Sequence, residues 1–72
     1  MNDIVRVVHS ESKTAWNIIG TIAGSKYKWA RVPYLNDDGF SEDFNTKQKA
    51  KALHLAEFIA SQINRHYAEL NI

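Results

Sequence analysis

The longest regular pattern of apolar and polar residues lies near the C-terminus, over residues 45–70. Apolar residues recur there at intervals of three and four, and no glycine or proline interrupts the run. This spacing predicts one amphipathic helix, capped by Asn45 or Thr46 with Gln48 in a capping-box position. The predicted core-facing stripe consists of Leu53, Ala56, Ala60, Ile63, Tyr67 and Leu70, with Ala52 and Ile59 on its flank.

The segment before this helix has the two-residue alternation of β-strands, broken by short polar turns. Strands are predicted over residues 3–9, 15–22, 27–34 and 39–44. Short turns favour antiparallel neighbours, and the helix stripe is the large apolar surface that can cover the resulting sheet. We therefore predict an α+β fold, in which a three- or four-stranded antiparallel β-meander packs against one long C-terminal α-helix (ββββα).

Length and composition restrict the class of protein. The 72 residues form a single small domain, residues 1–72, and the absence of cysteine excludes disulfides and thiolate metal sites. No apolar run reaches the length of a membrane span and the first residues do not resemble a signal peptide. We therefore expect a cytoplasmic protein without membrane contact.

The net charge of +1 conceals three blocks of different sign. Residues 1–36 carry five basic and two acidic side chains, residues 37–44 carry four acidic ones, and residues 45–72 carry four basic and two acidic ones. So mild an overall balance does not by itself indicate nucleic-acid binding. Whether the charges form a binding surface therefore depends on where the fold places them.

The predicted third strand carries aromatic and basic residues at alternate positions. If its small apolar residues point inward, the outward stripe can stack on bases and bind phosphates. The alternative interpretation places Trp29 in the core, with Arg31 reaching over its rim. The stripe comprises Tyr27, Trp29 and Arg31, next to Lys26.

Three lysines, Lys47, Lys49 and Lys51, occupy the first turns of the predicted helix. Positive charge at the N-terminus of a helix opposes the helix macrodipole, so lysines are unfavourable there for the helix itself. Their presence indicates a phosphate-binding site formed with the free backbone N–H groups. The alternative is that these lysines are solvated and balanced by Glu42 and Asp43.

Two further surfaces are candidates for protein contact. The acidic cluster Asp37, Asp38, Glu42 and Asp43 can bind a cation, face a basic partner or form a solvated turn, although its spacing lacks the full ligand set of a calcium loop. DNA binding by the sheet requires this cluster to lie away from the phosphates. Leu55 and Phe58 lie outside the core stripe, so they are either covered by N-terminal residues, ordinary exposed side chains, or a helix-mediated homodimer contact.

The sequence contains no recognisable motif for catalysis or metal binding. It contains no cysteine, no glycine-rich phosphate loop and no nucleophile with a recognisable base. The two His-x-x-Glu pairs, at 54/57 and 66/69, are twelve residues apart and cannot converge on one helix. We predict a protein that is not an enzyme and has no cofactor or metal.

Three motifs carry a resemblance to a known family: KWARV (28–32), NDDG (36–39) and FNTKQKAKA (44–52). From Trp16 onward the chain resembles the small DNA-binding domain of plant ethylene-response factors and of the N-termini of phage-type tyrosine integrases. In that family a three-stranded sheet enters the major groove. The resemblance implies double-stranded DNA contact through Lys26, Lys28 and Arg31, with Lys13 as a further candidate.

A second resemblance concerns VPYL (32–35) with Asn45-Thr46, which is similar to a HicB-type antitoxin domain and implies inhibition of a protein partner. The first functional hypothesis is therefore a small DNA-binding or regulatory protein of phage or mobile-element type. The second is a protein-interaction module or inhibitor, phage-encoded or antitoxin-like. Exposed Tyr27, Trp29 and Arg31 favour the first, whereas a buried Trp29 with an exposed acidic cluster favours the second.

Overall fold

The chain forms three β-strands and then one long helix. The computed structural model describes residues 4–22 and 24–70, except for the side chains of residues 22 and 68–70. Strands β1 (Val5–His9), β2 (Ala15–Ile22) and β3 (Ser25–Pro33) form one antiparallel sheet in the order β1-β2-β3. Helix α1 (Glu42–Leu70) follows. The predicted α+β fold, an antiparallel meander with one long C-terminal helix, is confirmed in its three-stranded form.

The predicted fourth strand is wrong, because α1 begins at Glu42 and takes up residues assigned to that strand. Ser41 is the N-cap, since its Oγ accepts a hydrogen bond of 3.1 Å from the Phe44 backbone N–H. Glu42 and Asp43 lie in the first turn, where negative charge stabilises the helix macrodipole. The rings of Phe40 and Phe44 are in contact across this helix start, with centroids 4.9 Å apart.

The turn before the helix is fixed by Asp37 and by Asn45, which is a helical residue and not the predicted cap. The Phe40 N–H donates to the Asp37 carbonyl oxygen at 2.9 Å, and the Gly39 N–H donates to Asp37 Oδ1 at 2.8 Å. Asn45 Nδ2 donates to the same carbonyl at 3.0 Å. The connection from β3 to α1 is therefore a hydrogen-bonded turn held against the first turn of the helix.

The core lies between one face of the sheet and a row of alanines on α1. Alanine at intervals of four residues gives the helix a flat surface, so that it can approach the sheet closely. The predicted stripe is confirmed at Ala56, Ala60 and Ile63, of which Ile63 is half-buried and packs against the core. Leu53 is half-buried without being part of that core, and the Leu70 side chain lies outside the described part. The buried core consists of Val5, Ile18, Val32, Ala52, Ala56 and Ala60.

Asn64 joins the far end of α1 to the edge strand β1. Its Oδ1 accepts hydrogen bonds from the backbone N–H groups of Ile4 (2.7 Å) and Val5 (2.9 Å), and its Nδ2 donates to the Val5 carbonyl (3.1 Å). Beyond this contact the helix departs from regular geometry at His66, where φ is −110° and ψ is 15°. Within the described ranges, no helix combines the length and the apolar character needed to cross a membrane.

Candidate nucleic-acid interface

The two faces of the sheet have different environments. Residues paired across neighbouring antiparallel strands project to the same face, so the pairing assigns each side chain to a side. Helix α1 packs on the face that carries Val5, Ile18 and Val32. We call the opposite side the open face. It carries Arg6, Val8, Asn17, Ile19, Thr21, Lys26, Lys28 and Arg31.

A β-bulge in β3 decides which basic residues reach the open face. Ile18 pairs with Ala30 but Ile19 pairs with Lys28, so Trp29 is an extra residue between the two pairs. The alternation along β3 changes phase at this point. Lys28, on one side of the bulge, therefore projects to the same face as Arg31 on the other side.

Trp29 itself projects toward the helix side, so the predicted outward stripe of Tyr27, Trp29 and Arg31 is wrong. Trp29 packs against the buried core, as the alternative interpretation held, but Arg31 lies on the opposite face and does not reach over its rim. It lies beside Gly20, where an added Cβ would be 3.0 Å from Trp29 Nε1. Tyr27 pairs with Gly20, which assigns Tyr27 to the helix side as well, although it is exposed there.

The open face is basic. Arg6, Lys26, Lys28 and Arg31 are all exposed, and within residues 4–22 and 24–70 no acidic residue is assigned to this face. Arg6 and Lys28 both lie opposite Ile19, so their Cα atoms are about 10 Å apart at the usual strand spacing. The rows of Lys26 and Arg31 are four β2 residues apart, which is about 13 Å along the strands.

Arg6 was not among the residues predicted to bind nucleic acid. The signal for it is present in the sequence, because Val5 and Val7 alternate with Arg6 and Val8 in β1. Both Val5 and Val7 pack toward the core, which leaves Arg6 outside. The pairing of β1 with β2 then brings Arg6 beside residues that lie far from it in the sequence.

The other predicted basic residues do not join this face. Lys13 lies in the β1–β2 turn with a positive φ of 59°. Lys47 and Lys51 are the sixth and tenth residues of α1, which packs on the opposite side of the sheet. They are beyond the first turn, so the predicted phosphate seat on free N–H groups is wrong. Lys47 Nζ instead pairs with Asp43 Oδ2 at 3.3 Å.

The acidic cluster lies at the β3–α1 turn and the first turn of α1, away from the open face. Much of its charge already has an intramolecular role. Asp37 accepts the Gly39 N–H, Asp43 pairs with Lys47, and Glu42 and Asp43 stabilise the start of the helix. DNA bound to the sheet would therefore keep its phosphates away from this acidic cluster.

Leu55 and Phe58 are exposed to 52% and 61% on the side of α1 that faces away from the sheet. None of the residues within 4–22 and 24–70 buries them. Their neighbours on this side include Lys51 and His54, both exposed. This apolar pair with a basic border is therefore accessible to another molecule.

An aromatic cluster closes the end of the sheet near the β1–β2 turn. The rings of His9 and Trp16 are stacked with centroids 4.3 Å apart, and Tyr34 lies beside both. Burial of the His9 ring, and then the charges of Lys13 and Lys49, lower the pKa of His9 below its usual 6.5. Burial also raises the pKa of Tyr34.

Two further observations bear on function. In the described ranges, no group of three or more histidine and acidic side chains has an arrangement that could hold a metal ion. No protein-family model, curated protein or solved structure matches the chain. The resemblances to integrase-type and antitoxin domains therefore stay hypotheses.

Proposed function

We propose that the protein is a small, non-enzymatic DNA-binding protein of regulatory type, in a phage or mobile element, which contacts duplex DNA through the open face of its sheet. The observation that carries this proposal is the convergence of Arg6, Lys26, Lys28 and Arg31 on one solvent-exposed face without an acidic residue among them. The bulge at Trp29 produces this convergence.

The composition of the open face favours contact with phosphates over stacking on bases. Its central apolar residues are Val8 and Ile19, which have no aromatic ring to stack on an unpaired base. Arginine and lysine bind phosphate oxygens and release counterions when they do so. The span of about 13 Å between the rows of Lys26 and Arg31 is close to the major-groove width of about 12 Å.

Trp29 packs against the core and the acidic cluster is exposed, which is the combination that favours a protein-interaction module. That expectation rests on regular alternation in β3. The bulge replaces Trp29 with Lys28 on the open face, so the surface loses an aromatic ring and gains a cation. This exchange weakens base stacking as a mode of binding and strengthens phosphate contact.

The test is titration of fluorescently labelled duplex DNA at several salt concentrations. With four phosphates neutralised, the logarithm of the binding constant should fall against the logarithm of salt with a slope of about −3.6. Lys28→Gln and Arg31→Gln should each reduce that slope by about 1. Lys51→Gln, on the outward side of α1, is the matched control and should leave it unchanged.

Two outcomes would reject the proposal. One is the absence of DNA binding at the lowest salt concentration. The other is binding that loses as much affinity in Lys51→Gln as in Lys28→Gln, because binding would then follow total charge and not the open face. Thermal unfolding of each variant establishes that the fold is intact.

A second candidate function is protein interaction through α1, and the exposure of Leu55 and Phe58 favours it. Lys51 and His54 border this pair, so an acidic partner surface with an apolar centre fits better than a second copy of the same basic face. Sedimentation over a range of concentrations tests the homodimer directly. A dimer that Phe58→Ser dissociates would support self-association, whereas a monomer at all concentrations would leave only a different partner for this surface.

A further inference from the structure

A polar cleft of about 460 Å³ lies at the end of the sheet, between the β1–β2 turn and the first turns of α1. This volume is in the range of small-ligand sites, about 300–1,000 Å³. The cleft is on the helix side of the sheet, so it is separate from the open face. Its lining includes His9, Lys13, Tyr34, Asn36, Glu42 and Lys49.

The hydrogen bonds around the cleft fix the backbone of both lysines. Tyr34 Oη donates to the Lys13 carbonyl oxygen at 2.7 Å, and Trp16 Nε1 donates to the Lys49 carbonyl oxygen at 3.1 Å. Asn36 Nδ2 also donates to the Lys13 carbonyl oxygen, at 3.5 Å. The aromatic cluster therefore fixes the backbone positions from which the Lys13 and Lys49 side chains line the cleft.

The same network determines where the protons are on the cleft wall. Tyr34 has one hydroxyl proton, which it donates to the Lys13 carbonyl, so Tyr34 Oη can only accept from His9. His9 Nε2 therefore carries a hydrogen and donates it to Tyr34 Oη. The His9 Nδ1 position remains available, as an acceptor in the neutral ring or as a donor when the ring is protonated.

We propose that this cleft binds a small phosphate monoester, with Lys13 and Lys49 holding the phosphate group and the rings of His9 and Tyr34 forming one wall. Two ammonium groups can donate several charge-assisted hydrogen bonds to phosphate oxygens. Protonation of His9 would add a third cation once an anion is bound. The proposal does not depend on DNA binding by the open face.

Glu42 lines the same cleft and opposes an anion there. Its carboxylate offsets the charge of one of the two lysines, so the formal charge of the cleft lining is +1 when His9 is neutral. Removal of this carboxylate should therefore strengthen phosphate binding, whereas removal of either ammonium group should weaken it. These opposite changes in phosphate affinity distinguish a specific site from general attraction of phosphate to a basic protein.

The experiment is an NMR titration of the folded chain, in a buffer without phosphate, that follows the His9 and Tyr34 ring signals. The probes are inorganic phosphate, a nucleoside 5′-monophosphate and the same nucleoside without phosphate. Saturable shifts with both phosphates are expected, together with a rise in the pKa of His9 when either is bound. Lys13→Gln and Lys49→Gln should each weaken binding about tenfold, the loss expected for one charge-assisted hydrogen bond.

Matched variants complete the test. Lys47→Gln lies on the same helix outside the cleft and should bind phosphate like the wild type, and Glu42→Gln should bind it more tightly. The proposal is overturned if the free nucleoside binds as well as its monophosphate, if millimolar phosphate produces no saturable shift, or if Lys13→Gln and Lys49→Gln bind like the wild type. Lys28→Gln should reduce DNA binding without changing phosphate binding, so failures of the two proposals are distinguishable.

Discussion

Gly20 is the position where a single methyl group tests the packing of the sheet most sharply. A Cβ on Gly20 would lie 2.4 Å from the Ile4 carbonyl oxygen, 2.7 Å from Val5 Cγ1 and 3.0 Å from Trp29 Nε1. The first of these atoms belongs to the backbone and the second to a buried core residue, so neither can move away freely. We expect Gly20→Ala to displace β1 from its position against β2.

The size of the effect follows from two opposing contributions. Forcing an extra methyl into a packed site costs about 1–3 kcal/mol. Replacing glycine by alanine within a strand restores about 0.5–1 kcal/mol through the lower entropy of the unfolded chain. The shortest contact, 2.4 Å, is with a backbone oxygen, so the cost lies in the upper half of its range, about 2–3 kcal/mol. The free energy of unfolding should therefore fall by about 1–2.5 kcal/mol, which lowers Tm by about 4–20 °C for a domain of this size.

Thermal unfolding by circular dichroism and tryptophan fluorescence measures this change. Gly39→Ala is the matched control, because its Cβ would meet only Asp37 Oδ1 at 3.4 Å, an ordinary contact. Its Tm should stay within a few degrees of the wild type. If Gly20→Ala unfolds at the wild-type temperature, β1 does not approach β2 at Gly20 as described, and the β1–β2 pairing that brings Arg6 to the open face loses its structural basis.

Two further perturbations test the fold. Asn64→Ala removes three hydrogen bonds to the backbone of Ile4 and Val5, so it should lower the free energy of unfolding by about 2 kcal/mol. The control is Gln62→Ala, which lies about 200° around the helix from Asn64. In a denaturant titration it should lower the free energy of unfolding by less than half as much. Because the pKa of His9 is lower in the folded state, the unfolded state takes up the proton first as the pH falls below about 6.5. Stability should therefore decrease as the pH falls below about 6.5, and His9→Gln should reduce that decrease. An equal decrease in the variant would contradict this role of His9.

The helix and its contact with the sheet are predictable from the sequence because their signals are local and long. The four-residue spacing of Ala52, Ala56 and Ala60 defines the face that packs on the strands. The fourth strand was mispredicted because Phe40 and Phe44 are four residues apart, a spacing that fits both a strand and a helix. Ser41 followed by two acidic residues was the signal for a helix start that would have decided the case.

The arrangement of side chains on the open face is harder to predict from the sequence. Whether Lys28 and Arg31 share a face depends on one extra residue in β3, and that residue is defined only by the pairing with β2. Gly20 within a strand was the available signal, since an interior glycine often marks a bulge or a close approach of another group. It does not specify which residue of the neighbouring strand is displaced, so the inward position of Trp29 required the structure.

The most direct test of the proposed function is an NMR titration of uniformly labelled protein with duplex DNA at low salt. If the open face contacts DNA, the amide signals of Arg6, Ile19, Lys28 and Arg31 should shift together and saturate at one DNA concentration. Signals of Leu55 and Phe58, on the other side of α1, should stay in place. Shifts confined to α1, or no shifts at all, would contradict the assignment of the open face as the DNA-binding surface.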